Sequence, residues 1–225
     1  MSVQENLQLI QANITEVCST TNRDPNEIKI IAVTKYVSTE TAQKAIEAGI
    51  KHIGENRDGG LNQKWEVIGE RASWHFIGTL QTRKVKNIID KVDYIHSLDR
   101  LSLAEEIDKR ADHIMKCFVQ VNAANEESKQ GLSVDEVVPF IEKLKDFPNI
   151  RVVGLMTMAP FTDDESVLRE TFSKVKELQK GVQALKLPYA PCDELSMGMS
   201  NDYKIAIEEG ATMIRIGTSL VGKEF

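Results

Sequence analysis

The sequence predicts an α/β fold: a single (β/α)8 barrel of the TIM type with an extra N-terminal helix. Three observations point there. Eight short apolar runs recur along the chain, separated by amphipathic, charged segments. The first run, Ile30-Ile31-Ala32-Val33-Thr34, reads as a strand buried on both faces, as in a parallel sheet. The eight alternations occupy about 200 residues, close to the lower size limit of a closed barrel. An open doubly wound sheet is the alternative arrangement of the same units.

The elements follow in order. Val3, Leu7, Ile10, Ile14 and Val17 recur at helical spacing and predict the first helix. After Asp24-Pro25 the alternation begins. Strands are predicted at 28–34, 52–54, 74–78, 94–98, 117–121, 152–158, 194–197 and 213–216. Helices are predicted at 39–48, 100–112, 134–145 and 165–185. Ser133 followed by Glu136 has the spacing of a capping box at one helix start. No Gly- or Ser-rich linker, low-complexity tract or residue-level repeat interrupts the pattern, so residues 1–225 read as one domain.

Composition narrows the function. Of 225 residues, 41% are hydrophobic and 28% charged, ordinary values for a globular chain. The net charge of −6 disfavours nucleic acid or an anionic membrane as a bulk partner. It leaves room for a small anionic ligand held by local donors. No apolar run approaches the ~20 residues of a membrane span. Met1-Ser2-Val3-Gln4-Glu5 has neither the basic start nor the apolar stretch of a secretory signal. Cys18, Cys117 and Cys192 are far apart and odd in number, which suits a reducing compartment, so a cytoplasmic location is expected. His52, His75, His96 and His113 are scattered, and no pair has metal-ligand spacing, so no zinc site is expected.

Barrels place function at the carboxyl ends of their strands. Lys35 ends the first apolar run. An amine against apolar surroundings sheds its proton more readily, and the neutral amine is a nucleophile toward aldehydes. The plain alternative is a strand-end lysine snorkelling to water. Other strand ends carry Glu55-Asn56, Gly78 and Gln81, Ser97, Asn122, Met156 and Met158, then Ser196. Asn56 and Asn122 either orient a ligand or close a turn, and the methionines read as packing at the barrel mouth. Ser200 suits a helix N-cap after the seventh strand, and Gly217-Thr218 leaves the eighth. Barrels often hold phosphate at these two loops. Arg215 lies within Met213-Ile214-Arg215-Ile216 and needs an acceptor, either a core carboxylate or a ligand in the barrel mouth. His75 reads as a core residue or as a general base.

These residues resemble the pyridoxal phosphate homeostasis protein family, whose fold is like the barrel domain of alanine racemase. The matching segments run from about Ile28 to Phe225. They are Ala32-Val33-Thr34-Lys35, Gly54-Glu55-Asn56, Trp74-His75-Phe76-Ile77-Gly78-Thr79-Leu80-Gln81, Gln120-Val121-Asn122, Gly154-Leu155-Met156, Leu195-Ser196-Met197-Gly198-Met199-Ser200-Asn201-Asp202 and Arg215-Ile216-Gly217-Thr218. The resemblance implies a Schiff base between Lys35 and pyridoxal 5′-phosphate. It also implies phosphate contacts from Ser200 and the Gly217-Thr218 backbone, Arg215 facing the pyridine nitrogen, and Asn56 near the ring. Two segments depart from the family: Arg57-Asp58-Gly59-Gly60 follows Asn56, and Arg83 stands where asparagine is common.

What the resemblance implies chemically is a carrier. An arginine facing the ring nitrogen opposes its protonation, so a carbanion on the bound amino acid gains less stabilisation. Racemisation also needs an acid or base on each face, and the residues after Gly222 offer no second domain to supply one. The expected role is to carry and buffer the cofactor, with little or no catalysis, in support of vitamin B6 and amino-acid homeostasis. The partners implied are the cofactor and the apo enzymes that receive it, with the chain acting as a monomer. Two other readings stand beside it. One is a pyridoxal-phosphate-dependent amino-acid racemase. The other is a cofactor-free Schiff-base aldolase.

Overall fold

The computed structural model describes residues 1–124 and 130–225. Its strands are β1 (Lys29–Val33), β2 (His52–Glu55), β3 (Ser73–Phe76), β4 (Tyr94–Leu98), β5 (Met115–Gln120), β6 (Ile150–Met156), β7 (Glu194–Ser196) and β8 (Met213–Ile216). All pair in parallel with their neighbours in chain order, and β1 returns to β8 with Lys29 opposite Met213 and Ala32 opposite Ile216. The sheet is therefore a closed barrel, and the open doubly wound alternative is set aside.

The helices are α1 (Val3–Thr21), α2 (Thr39–Glu47), α3 (Asp58–Ile68), α4 (Leu101–Arg110), α5 (Val134–Lys143), α6 (Glu165–Ala184), α7 (Tyr203–Glu208) and α8 (Thr218–Val221). The expected capping box is formed at α5, where Ser133 and Glu136 bond reciprocally. Between β3 and β4 the chain makes a 3-10 stretch, Thr82–Asn87, instead of an α-helix. α3 went unpredicted. Its buried face is Leu61, Lys64 and Ile68, and a lysine in the middle of that face breaks the apolar period. Gly59 and Gly60 in its first turn add poor helix formers.

α1 buries Leu7, Ile10, Ile14, Val17 and Cys18. It is tied across the last two units: Asn6 donates to the Leu220 carbonyl, Asn13 to the Tyr203 hydroxyl, and Arg23 to the Ile207 carbonyl. The extra helix thus braces α7 and α8 from outside.

Two cores result. The larger lies between strands and helices. The smaller, Ile31, Phe118, Met156 and Met213, lies inside the barrel with Tyr94 and Val153 against it. The histidines read as scattered prove otherwise in part. His52, His75 and His96 start or lie within β2, β3 and β4, and each ring bonds the next inside the barrel. The rings link side by side and do not converge on a point. Among the described residues no group of three or more His, Cys, Asp or Glu side chains is arranged to hold a metal, and no helix is long and apolar enough to cross a membrane.

Candidate functional site

A cavity of about 520 Å³ opens at the carboxyl ends of the strands. Lys35, Asn56, Ser200, Arg215, Gly217 and Thr218, all selected from the sequence, line it together. Tyr36, Gln120, Phe161 and Asp202 line it too and were not singled out as site residues. Arg57, Arg83, Asn122 and His75 are not among its lining.

The position of Lys35 follows from the end of β1. The Thr34 amide donates to the Gly54 carbonyl at 3.1 Å, extending the ladder one residue past the strand. The Val37 amide then donates back to the Thr34 carbonyl at 3.1 Å, turning the chain. Below the turn lies a buried ion pair. Lys64 Nζ is 2.7 Å from Glu55 Oε1 and 2.9 Å from the Thr34 carbonyl, and Thr34 Oγ1 donates to the same carboxylate oxygen at 2.6 Å. Lys64 therefore uses its charge to hold the backbone next to Lys35. Lys35 itself is half-buried, with Nζ 4.9 Å from the centre of the Tyr36 ring, and among the described residues it makes no ion pair.

The pair predicts a mutational signature. Lys64→Met leaves the Glu55 carboxylate buried without its cation, which costs about 3–5 kcal/mol. The double variant Glu55→Leu, Lys64→Met removes both charges and is expected to recover most of that loss in urea unfolding. A double variant as unstable as Lys64→Met would show that the charge is not the cause.

Asn56 is set by a neighbouring glycine. A side-chain carbon at Gly78 would come within 2.3 Å of the Asn56 carbonyl oxygen, so only glycine lets the chain leaving β3 pass this close.

The loop after β7 departs from expectation. Ser200 is not the helix cap: α7 begins at Tyr203, after Asp202. Asp202 Oδ1 instead accepts from the Met199 amide at 2.6 Å and closes a loop ahead of the helix. Gly198 makes the turn possible, with φ of +97° and Ala206 Cβ 2.7 Å from where a side chain would start. Ser200 is thereby freed from capping, and its Oγ accepts from Ser219 Oγ at 2.9 Å. That bond joins the loops after β7 and β8. At Gly217 an added carbon would only touch Val33 at 3.6 Å, so packing does not require glycine there.

Arg215 is buried, and its guanidinium is held by two neutral acceptors. Nη1 donates to Ser196 Oγ at 2.6 Å and Nη2 to the Thr157 carbonyl at 2.9 Å. Burial pushes its pKa down to about 10, opposed by the Asp202 carboxylate. Arg215 is therefore cationic at neutral pH. The site thus joins an amine, a cationic fork and two loops of small residues in a chain whose net charge is −6. Lys223 adds a third cation near the mouth, 5.5 Å from the Tyr36 ring centre. Such an arrangement can capture an aldehyde and retain an anion.

Of the lining residues not foreseen, Tyr36 had the signal of adjacency to Lys35. Asp202 stood in the segment Ser200-Asn201-Asp202, where the capping role was given to the wrong residue. Phe161, 94% exposed, lies outside every strand, and nothing in the pattern marks it.

A family model described as the alanine racemase N-terminal domain matches residues 6–224. A pyridoxal phosphate homeostasis protein of Aquifex aeolicus is 38% identical over 99% of both chains. Among solved structures, PipY of Synechococcus elongatus with PLP bound is 28% identical, with a TM-score of 0.83, covering 98% of this chain and 100% of that one. An alanine racemase of Clostridium difficile shares the fold at 15% identity and a TM-score of 0.77, this chain spanning 56% of its length.

Proposed function

We propose, for a chain that belongs to the pyridoxal phosphate homeostasis protein family, that the cavity binds pyridoxal 5′-phosphate reversibly through Lys35 and carries it with little chemistry. The residues present fit that group. Lys35 supplies an amine for the aldehyde, linked as a Schiff base. Ser200 and the Gly217-Thr218 backbone offer donors among small residues for the phosphate. Arg215 offers a donor to the pyridine nitrogen, and Asn56 lies on the same wall. When bound, the cofactor supplies a reactive aldehyde and an electron-withdrawing ring.

The observation that carries the reading is Arg215. Its guanidinium is fixed by Ser196 and Thr157 and stays charged, so it meets a ring nitrogen as a donor. A ring nitrogen kept unprotonated withdraws electrons poorly, which suits storage and delivery over turnover. Apo enzymes that need the cofactor are the recipients in this reading.

Exchange of the α-hydrogen of L-alanine in heavy water tests it, because exchange needs proton transfer on one face only. The expected rate is that of free cofactor with an amine. Enzymatic rates abolished by Lys35→Ala would establish the racemase reading instead. A purified protein that gains no visible absorbance with the cofactor would favour the aldolase reading.

The phosphate loops give a further expectation. Ser200→Ala removes one hydroxyl donor and weakens cofactor binding by about 1.5–3 kcal/mol, the range for a hydrogen bond to a charged group. Binding of pyridoxal without phosphate should be unchanged by the substitution. Equal weakening of both ligands would place Ser200 away from the phosphate.

A further inference from the structure

We propose that His52, His75, His96 and Ser196 form a one-way hydrogen-bond relay through the barrel, its direction set by Arg215, that positions the Arg215 guanidinium at the cavity. The relay crosses the molecule. His52 Nδ1 lies 3.0 Å from His75 Nε2, and His75 Nδ1 lies 2.8 Å from His96 Nε2. His96 Nδ1 lies 2.9 Å from Ser196 Oγ, which takes the Arg215 Nη1 donor at 2.6 Å. His52 is half-buried at the start of β2, while His75, His96 and Ser196 are fully enclosed.

The direction follows from counting hydrogens. A guanidinium has no acceptor, so Arg215 must donate to Ser196. The serine hydroxyl has one hydrogen of its own, and His96 Nδ1 is the ring nitrogen in reach of it. If His96 Nδ1 accepts, a neutral His96 carries its hydrogen on Nε2 and donates it to His75 Nδ1. His75 then carries its hydrogen on Nε2 and donates it to His52 Nδ1, leaving the His52 Nε2 hydrogen at the half-buried end. All three rings share one tautomer. The reverse order would have Arg215 and His96 both donating to Ser196, with the serine hydrogen in search of a third partner.

In this order no ring nitrogen keeps a free lone pair, so an added proton must break a link. The surroundings agree. His75 stacks on Tyr94 and lies near Lys116, and His96 stacks on Phe118 beside Arg215. Around His52, Lys29 and Lys51 oppose a positive ring while Asp93 and Glu194 favour it. Burial and the neighbouring rings hold His75 well below the usual histidine range, and burial and Arg215 do the same for His96. Ser196 and His96 are positioning residues: they act on the cavity only through the guanidinium. The identity of the ring nitrogen that Arg215 meets rests on the function proposed above; the relay does not.

Nitrogen NMR on the full chain tests the proposal, since the shift of each ring nitrogen reports whether it carries hydrogen. At neutral pH, His52, His75 and His96 should each show Nε2 in the protonated position and Nδ1 in the unprotonated one. A hydrogen on Nδ1, or a doubly protonated ring, at His75 or His96 overturns the relay. In Arg215→Met no obligatory donor faces Ser196 Oγ, so the constraint on direction is lifted, both orders become populated and the ring shifts move toward averaged values. A folded Arg215→Met protein with unchanged tautomers overturns the claim that Arg215 sets the direction. If that variant does not fold, the unsubstituted protein decides alone. Cofactor loading is read separately by visible absorbance. The expected tautomers without any loading would uphold the relay and overturn the carrier reading.

Discussion

Borohydride treatment of the protein loaded with pyridoxal 5′-phosphate is expected to fix one pyridoxyl group, on Lys35, and Lys35→Ala is expected to abolish both the label and the Schiff-base band. The other lysines near the barrel rim are occupied or misplaced. Lys64 is buried against Glu55 and the Thr34 carbonyl. Lys84 is 2.8 Å from Asp58 Oδ2 and does not line the cavity. Lys129 lies outside the described residues. Lys223 shares the Tyr36 ring with Lys35 but stands farther from it, at 5.5 Å against 4.9 Å. Lys35 alone among these both lines the cavity and makes no ion pair among the described residues. Loss of the covalent link should leave residual binding through the phosphate and ring contacts, so Lys35→Ala is expected to retain weak binding without the Schiff-base band. A peptide map with the label mainly on Lys84, Lys129 or Lys223 would remove Lys35 from the role.

How much of this was legible in the sequence depends on which face a side chain uses. The eight strands were readable because parallel strands buried on both sides are continuous apolar runs. That the six candidate residues line one cavity was readable in part, because the fold class says to look toward the carboxyl ends of the strands, while choosing them from the other polar residues there took the family resemblance. What supports them was hidden. Lys64 on α3 looks like a charge on a solvated face, yet it is buried against Glu55, which lies one turn before the helix in the chain. Nothing local in the sequence separates a buried lysine from an exposed one. Ser200 looked like a cap because Ser before a helix usually is one. Here α7 starts only at Tyr203, after a loop closed by Asp202 on the Met199 amide and a turn at Gly198 that packs against Ala206 of the same helix. The histidines had a faint signal. His52 and His75 are 23 residues apart, and His75 and His96 are 21 apart, close to one strand-helix unit each time. In a closed barrel such a repeat places residues on adjacent strands, so the pattern was readable once closure was assumed.

The same histidines set the second large expectation: the protein should lose stability on mild acidification, before its carboxylates matter. His75 and His96 are fully buried, and both are held well below the ordinary value of 6.5. The sign is fixed by linkage. Below that value the unfolded chain binds a proton at each of these positions while the folded chain binds none, so unfolding takes up protons and stability falls as pH falls. Each group contributes through the range in which the unfolded chain titrates, so on mild acidification the pair accounts for a loss on the order of a few kcal/mol. Carboxylates act in the same direction but later. Asp58, lowered by its bond to Lys84, starts from 3.8, so its stabilising effect is lost only at more acidic pH. Urea unfolding across this range should show the drop, and calorimetry near pH 5.5 in buffers of different ionisation heat should show close to two protons taken up from this pair on unfolding. The ring proton resonances of His75 and His96 should stay constant over the same range in the folded protein. Rings that titrate near 6.5 while the protein remains folded would mean that the interior accepts charge, and the predicted acid sensitivity would have no source in these two residues.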